Sequence, residues 1–326
     1  MLCDRFNRVI SYLRISVTDR CNFRCVYCMP ESGIEVLPRN ELLTFEEIAR
    51  VVHVGSTLGL RKIRLTGGEP TVRRDLPLLI SMLRSIPGIE EISMTTNAVR
   101  LEELAQPLKT AGLDRVNISL DTLHPERAHA LARRDMLPQV LRGIEAAVAA
   151  DLTPLKLNCV VMRGLNDDEL CDLVAFSAGR DAQIRFIEYM PMGVTGFEER
   201  NRLVTAEEMR ERLSVCFELV PEEVGANDPA RAYVCRRSGA RAGFISSMSE
   251  HFCDSCNRMR LTAQGGLRPC LHQNAEVDVR KVLRAGGSDT QIAQTFCDAA
   301  ALKWAGHQMN DFIPLYSLKE MVSIGG

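Results

Sequence analysis

The chain has 326 residues, 46% of them hydrophobic and 25% charged, enough to bury a core and unlike a disordered sequence. With 40 basic and 42 acidic residues the net charge is −2, which gives no reason to expect a nucleic acid or a membrane surface as partner. No apolar run is long enough to span a bilayer, and Met1–Phe6 lacks the apolar centre of a secretion signal, so a cytoplasmic protein is expected. The 12 cysteines of such a chain point to metal binding or catalysis rather than to disulfide staples.

Short β-rich runs alternate with helical patterns as far as residue 216. Tyr12–Val17 reads as the first strand, and a loop with Cys21, Cys25 and Cys28 follows it. Thr44 and Glu47 form a capping box ahead of a helix whose apolar face holds Ile48, Val51 and Val52, and Gly59 ends it. Lys62–Leu65 is the second strand, stopped by Gly67 and Gly68, and Leu76–Ser85 the next helix. The strand Glu91–Thr95 leads to the helix Leu101–Ala111, with Gly112 as its stop. The fourth strand is Arg115–Leu120, and helical sequence then runs to Ala150 with a break near Pro138. The fifth strand is Leu155–Met162, with a helix capped by the Asn166–Glu169 box and running to Ala178. Gln183–Glu188 is the sixth, and the box Thr205–Glu208 opens the sixth helix.

Six βα units in series imply right-handed crossovers and a parallel sheet. They are too few for a closed eight-stranded barrel, so the expected fold is α/β, a partial (β/α)6 TIM-like barrel over residues 1–216, with a doubly wound sheet as the alternative. From residue 217 the pattern changes to short runs at 232–236, 242–245, 259–262 and 266–269, read as hairpins, then helical segments at 277–284 and 289–301. Residues 217–326 are expected to form a small accessory domain closing over the barrel.

Three thiols at spacings of four and three can hold one metal centre. On a four-iron cluster they leave one iron open to a substrate or cofactor; a structural zinc knuckle is the alternative and needs a fourth ligand, yet the first histidine is His53. A second group, Cys253, Cys256 and Cys270, repeats the three-thiol pattern, and Cys159 and Cys171 read as packed core residues. Polar residues gather at the C-terminal ends of the strands, where barrel sites collect: Thr66–Pro70, Thr95–Asn97, Ser119–Asp121 and Met190–Met192. Lys156 and Asn158 share one face of their strand. Gly67 and Gly68 let backbone approach a ligand, or make an ordinary turn, and Glu69 offers acceptors for an amine. Arg14, Arg64 and Lys156 lie inside apolar strands, where they either face an anion or point outward to solvent.

The Cys21/Cys25/Cys28 spacing with Tyr27 before its last thiol, followed by Gly67–Pro70, resembles the radical S-adenosylmethionine (SAM) superfamily. Leu13–Cys21, Lys62–Pro70, Val116–Asp121, Phe186–Pro191, Cys253–Arg260 and the final Gly325 and Gly326 are similar to the GTP 3′,8-cyclase family of molybdenum-cofactor biosynthesis, over essentially the whole chain. That resemblance implies a lyase that cyclises GTP to (8S)-3′,8-cyclo-7,8-dihydroguanosine 5′-triphosphate. It implies one 4Fe–4S cluster on Cys21, Cys25 and Cys28, with SAM on its open iron, and a second on Cys253, Cys256 and Cys270 in the accessory domain, facing the guanine end of GTP. His251 and His272 beside the second group are alternative ligands.

By the same resemblance Tyr27, Gly68, Ser119 and Met190 contact SAM. Arg14, Arg64, Thr95, Lys156, Arg258, Met259 (through its backbone) and Arg260 contact GTP, with Arg185 a further candidate. Arg14, Gly325 and Gly326 are the catalytic assignments, the two glycines by insertion of the tail into the site. An external electron donor, a downstream cyclic pyranopterin monophosphate synthase and a homodimer are the implied partners. Two other readings are a peptide-modifying radical SAM enzyme with an auxiliary cluster and a non-catalytic zinc-binding module. The Arg258/Arg260 pair favours a nucleotide over the first, and the polar strand ends are unexplained by the second.

Overall fold

The computed structural model describes residues 1–192, 200–223, 225, 227–307 and 321–325. Gly326, one of the implied catalytic positions, lies outside the described residues.

Six strands, β1 (Tyr12–Ser16), β2 (Lys62–Thr66), β3 (Glu91–Thr96), β4 (Arg115–Ser119), β5 (Lys156–Val161) and β6 (Gln183–Glu188), pair in parallel in chain order. Neighbours in sequence are neighbours in the sheet throughout, so no crossover reverses direction as a doubly wound sheet requires. The expected partial barrel is what forms. Its helices are α1 (Phe45–Thr57), α2 (Leu76–Arg84), α3 (Leu101–Thr110), α4 (Pro125–Ala132), α5 (Leu137–Ala149), α6 (Leu170–Ala178) and α7 (Ala206–Ser214). Alternation along the strands drives the layering: Leu13 and Ile15 of β1, Ile63 and Leu65 of β2, and Ile92 and Met94 of β3 are fully buried in the main core. Ile48, Val51 and Val52 of α1 join them, and the Thr44 hydroxyl accepts from the Glu47 N–H while the Glu47 carboxylate accepts from the Thr44 N–H, the expected capping box.

The later strands do not stand apart as a separate layer. β7 (Leu219–Glu222), β8 (Arg231–Cys235), β9 (Arg241–Ile245), β10 (Arg258–Leu261), β11 (Gly266–Arg268) and β12 (Val277–Asp278) extend the same sheet at both edges, giving the order β12-β11-β10-β1-β2-β3-β4-β5-β6-β9-β8-β7. β9 joins β6 and β10 joins β1, both in parallel. Hairpins β8–β9 and β10–β11 are antiparallel as expected. No hydrogen-bonded pairing among the described strands closes the sheet on itself. Two further helices, α8 (Val279–Arg284) and α9 (Asp289–Ala301), follow, so residues 277–278 are strand rather than the start of a helix.

Two local expectations change. Asn166 does not cap α6, which begins at Leu170; its side chain bonds the Met162 N–H and the carbonyls of Asp121 and Val160. Glu169 is equally diverted, accepting from the Thr122 hydroxyl and the Leu123 N–H. Cys171 is not a packed core thiol but is joined to Cys216, linking α6 to the turn after α7. Cys159 is fully buried, as expected.

Candidate active site

The loop after β1 is held by the loop after β2. A Cβ on Gly67 would lie 2.6 Å from the Thr18 carbonyl oxygen, and one on Gly68 2.3 Å from that of Arg20. No side chain fits there, and the closeness lets Gly68 N–H donate to Thr18 (2.7 Å) and Glu69 N–H to Arg20 (2.8 Å). The glycine pair thus clasps the cysteine loop while also lining the cavity beside it. Asn97, at the end of β3, donates to the Asn22 side chain at 2.7 Å and fastens the loop from a second direction. Tyr27 donates to Asp121 at 2.7 Å, and Asp121 in turn accepts from Val160 N–H. Burial pushes the Asp121 carboxyl up to about 6. Glu69 Oε1 accepts from Thr71, twice, and Thr96, and Oε2 from Asn97 N–H, so the acceptor capacity left for an amine is on Oε2.

Cys21, Cys25 and Cys28 line one cavity, and so do Cys253, Cys256 and Cys270. Burial pushes the Cys21 thiol up to about 11 and also raises the Cys25 thiol well above its usual value, the latter with help from Cys28 and Asp121. Such buried thiols become ligands only with a positive centre among them, and three convergent thiols with open space beside them suit an iron–sulfur cluster. Among the described residues no three Cys, His, Asp or Glu side chains close around a single-ion position.

The two triads sit at opposite ends of the strands, so the site extends beyond the C-terminal rim where the polar strand ends gather. Cys21–Cys28 follow the end of β1. Cys253 and Cys256 precede β10, which runs parallel to β1 with Arg258 beside Tyr12, and the Asn257 carbonyl accepts from the N–H groups of Ser11 and Tyr12. β11 runs back antiparallel to β10, Arg260 opposite Arg268, and so delivers Cys270 to that same lower end. Burial raises the Cys253 thiol. At Cys256 burial also acts upward, but Lys303 and Arg258 outweigh it and the thiol falls below its usual value.

Cations fill the wall between the triads. Arg260, Arg14 and Arg64 lie in register on β10, β1 and β2, and all three line the cavity. Burial, and for Arg14 next its neighbour Arg260, depresses each of them. Arg258 lines it too, over the Phe252 ring. Lys156 does not reach the lining; it stands 3.7 Å from Asp228, which also takes Arg185 at 2.8 Å. Burial and Arg185 push Lys156 down to about 8. The Met259 side chain is fully buried in the core, and its main chain belongs to the β10 ladder. Thr95 and Asn158 each line the cavity with a buried side-chain oxygen that has no hydrogen-bond partner, and Ser119 and Met190 line it as well. Orphaned buried oxygens of this kind cost about 1–3 kcal/mol, which a polar ligand recovers.

The tail enters between these parts. Arg260 donates to the Gly325 carbonyl, and a Cβ on Gly325 would lie 2.7 Å from the Thr66 hydroxyl. Ile324, fully buried, packs with Met192 and Met248. His272 lines the cavity beside Cys270, and His307 meets the His251 ring edge-on and the His272 ring at a tilt. Lys303, Arg8 and Asp228 were not singled out in the sequence; the contacts that bring them to the site are remote in the chain, although Arg8 also pairs with Asp4 four residues before it.

The model of the radical SAM superfamily matches residues 15–177, and that of the Molybdenum Cofactor Synthesis C region matches residues 182–309. The fold agrees with a solved structure, that of Streptococcus suis SuiB bound to S-adenosylmethionine, which superposes with a TM-score of 0.61 at 14% identity, covering 88% of this chain and 67% of that one. Fold and site together define a radical SAM enzyme. A GTP 3′,8-cyclase of Syntrophomonas wolfei is 45% identical over 100% of both chains. One of Moorella thermoacetica is 47% identical over 94% of this chain and 95% of its own, and one of Heliobacterium modesticaldum 46% identical over 95% of each. The chain belongs to the GTP 3′,8-cyclase family.

Proposed function

We propose that this radical SAM enzyme converts GTP to (8S)-3′,8-cyclo-7,8-dihydroguanosine 5′-triphosphate, an early step of molybdenum-cofactor biosynthesis. The observation that carries the reading is a single cavity with a thiol triad at each end of the strands and arginines between them. β1 has five residues and so spans about 16 Å, a length suited to an extended nucleoside triphosphate between the two ends.

Cys21, Cys25 and Cys28 hold the first 4Fe–4S cluster in this reading, and Cys253, Cys256 and Cys270 the second. When bound, the first cluster and SAM would supply the one-electron radical chemistry that acts on the ribose of GTP. The protein's part is to bind, orient and exclude water. Tyr27, fixed by Asp121, and Gly68, Ser119 and Met190 enclose SAM. Arg14, Arg64, Arg258 and Arg260 meet the triphosphate, which a protein of net charge −2 attracts only by such local placement. Thr95 gains a partner for its orphan hydroxyl. Lys156 contributes from behind the wall through the Arg185–Asp228 group, and Met259 through its main chain. Gly325 brings the tail to Arg260, with Gly326 beyond it.

Residues 1–216 make the SAM-binding barrel and 217–326 the accessory part in this scheme. An external electron donor, a homodimer, a cytoplasmic location and a cyclic pyranopterin monophosphate synthase acting next complete it. Among the described residues no helix is long and apolar enough to cross a membrane. The test is anaerobic reconstitution followed by iron, sulfide and zinc analysis and incubation with reductant, SAM and GTP. Two clusters, 5′-deoxyadenosine and a cyclised nucleotide are expected; zinc at both triads with no SAM cleavage refutes the proposal.

A further inference from the structure

Lys303, just past α9, is 3% exposed. A buried ammonium is costly unless both its donors and its charge are met. Its Nζ donates to the Arg258 carbonyl at 2.8 Å and to the Pro269 carbonyl at 2.6 Å, and it lines the same cavity as Cys256 and Cys270. An ammonium has three donors, and the two carbonyls engage two of them. Among the described residues no salt bridge joins it to a carboxylate, and its charge acts on the Cys256 thiol, which it lowers.

The partners lie in two separate segments. Arg258 is two residues beyond Cys256, and Pro269 immediately precedes Cys270. One side chain therefore ties together the stretches that deliver two of the three thiols. Arg8 holds the same region from the other side, donating to the carbonyls of Cys253 and Ala305, each at 2.7 Å, while Asp4 takes its Nε at 2.6 Å. The turn carrying Lys303 is thereby fixed to the third thiol's loop.

We propose that Lys303 is a positioning residue of the second iron–sulfur site: it sets Cys256 against Cys270 and places a permanent positive charge at the Cys256 sulfur, favouring the more reduced state of the cluster held there. The proposal rests on the reading of Cys253, Cys256 and Cys270 as cluster ligands. Hydrogen bonds and positive charge at ligating sulfurs raise the reduction potential because the reduced form carries more negative charge.

The experiment uses the anaerobically reconstituted full chain and two substitutions. Lys303→Gln keeps donors for the carbonyls but removes the charge; Lys303→Met removes both. Iron and sulfide per chain are counted, and the midpoint of each cluster is read by electron paramagnetic resonance during a dithionite titration. In Lys303→Gln both clusters persist, the second is at least about tenfold harder to reduce, a fall of about 59 mV for a one-electron couple, and the first is unmoved. Lys303→Met shows the same fall or loses only the second cluster's iron, either of which supports the positioning role. Should Lys303→Met fail to fold, Lys303→Gln decides alone. An unchanged second midpoint in Lys303→Gln overturns the proposal. If wild-type protein carries iron for one cluster only, it is the ligand assignment that fails, and the role of Lys303 falls with it.

Discussion

Gly68→Ala is the sharpest test of how the first triad is held. Its new Cβ would lie 2.3 Å from the Arg20 carbonyl oxygen, 2.5 Å from its carbon and 2.8 Å from the Asp19 carbonyl oxygen. All three are main-chain atoms, so no side chain can rotate away and one loop must move. Overpacking of this sort costs about 1–3 kcal/mol. Loss of the Gly68 N–H bond to Thr18 adds about 0.5–1.5 kcal/mol. The total of about 1.5–4.5 kcal/mol predicts a lower Tm, at about 2–4 °C per kcal/mol for a large domain. More telling is where the damage falls: the displaced loop carries Cys21, so the first cluster's iron and SAM cleavage are lost while the second cluster's iron stays. Gly179→Ala is the control, since its Cβ would meet nothing nearer than 3.8 Å. Iron analysis with thermal unfolding of the three proteins settles the matter. A Gly68→Ala enzyme with full iron content and normal SAM cleavage refutes the clasp.

Arg260→Ala lowers kcat/KM for GTP by about 10- to 100-fold, the equivalent of a charged hydrogen bond worth about 1.5–3 kcal/mol, with the first cluster's absorbance intact; unchanged turnover removes Arg260 from the substrate site. Deleting Gly325 and Gly326 abolishes cyclisation, read by product chromatography, while iron content is kept, and a fully active truncated enzyme excludes the tail. GTP affinity falls as pH rises through about 8, because Lys156 is depressed to that value and is cationic only below it. Isothermal titration across that range checks this: Lys156→Met flattens the fall, and an equally steep profile in the variant assigns it elsewhere.

The barrel was legible because short β-rich apolar runs and the helical periodicity between them are local signals, as at Leu13/Ile15 and Ile48/Val51/Val52. The thiol triads were legible for the same reason: their spacing is written within a few residues. What joins distant segments was not. Nothing local pairs β10 with β1, and that pairing puts the second triad at the N-terminal end of the strands. Arg8, Lys303 and Asp228 work through partners far away in the chain. Asn166 shows local chemistry overruled: a capping pattern was present, but the unmet carbonyls of Asp121 and Val160 claimed its amide. Cys171 misled because an apolar setting does not reveal a partner thiol 45 residues on.

β9 ends at Ile245 beside β6, and β10 begins at Arg258 beside β1. Both strands point the same way, so residues 246–257 must travel from the upper rim of one edge to the lower rim of the other. At no more than about 3.6 Å per residue, a stretch of this length reaches roughly 40 Å when fully taut. It works as a tether across the open side of the barrel, setting a ceiling on how far the edges can part. Cys253 and Cys256 ride on that tether. Spreading of the barrel that takes up the slack of this segment would pull on the second triad, and shortening the tether would lower that limit.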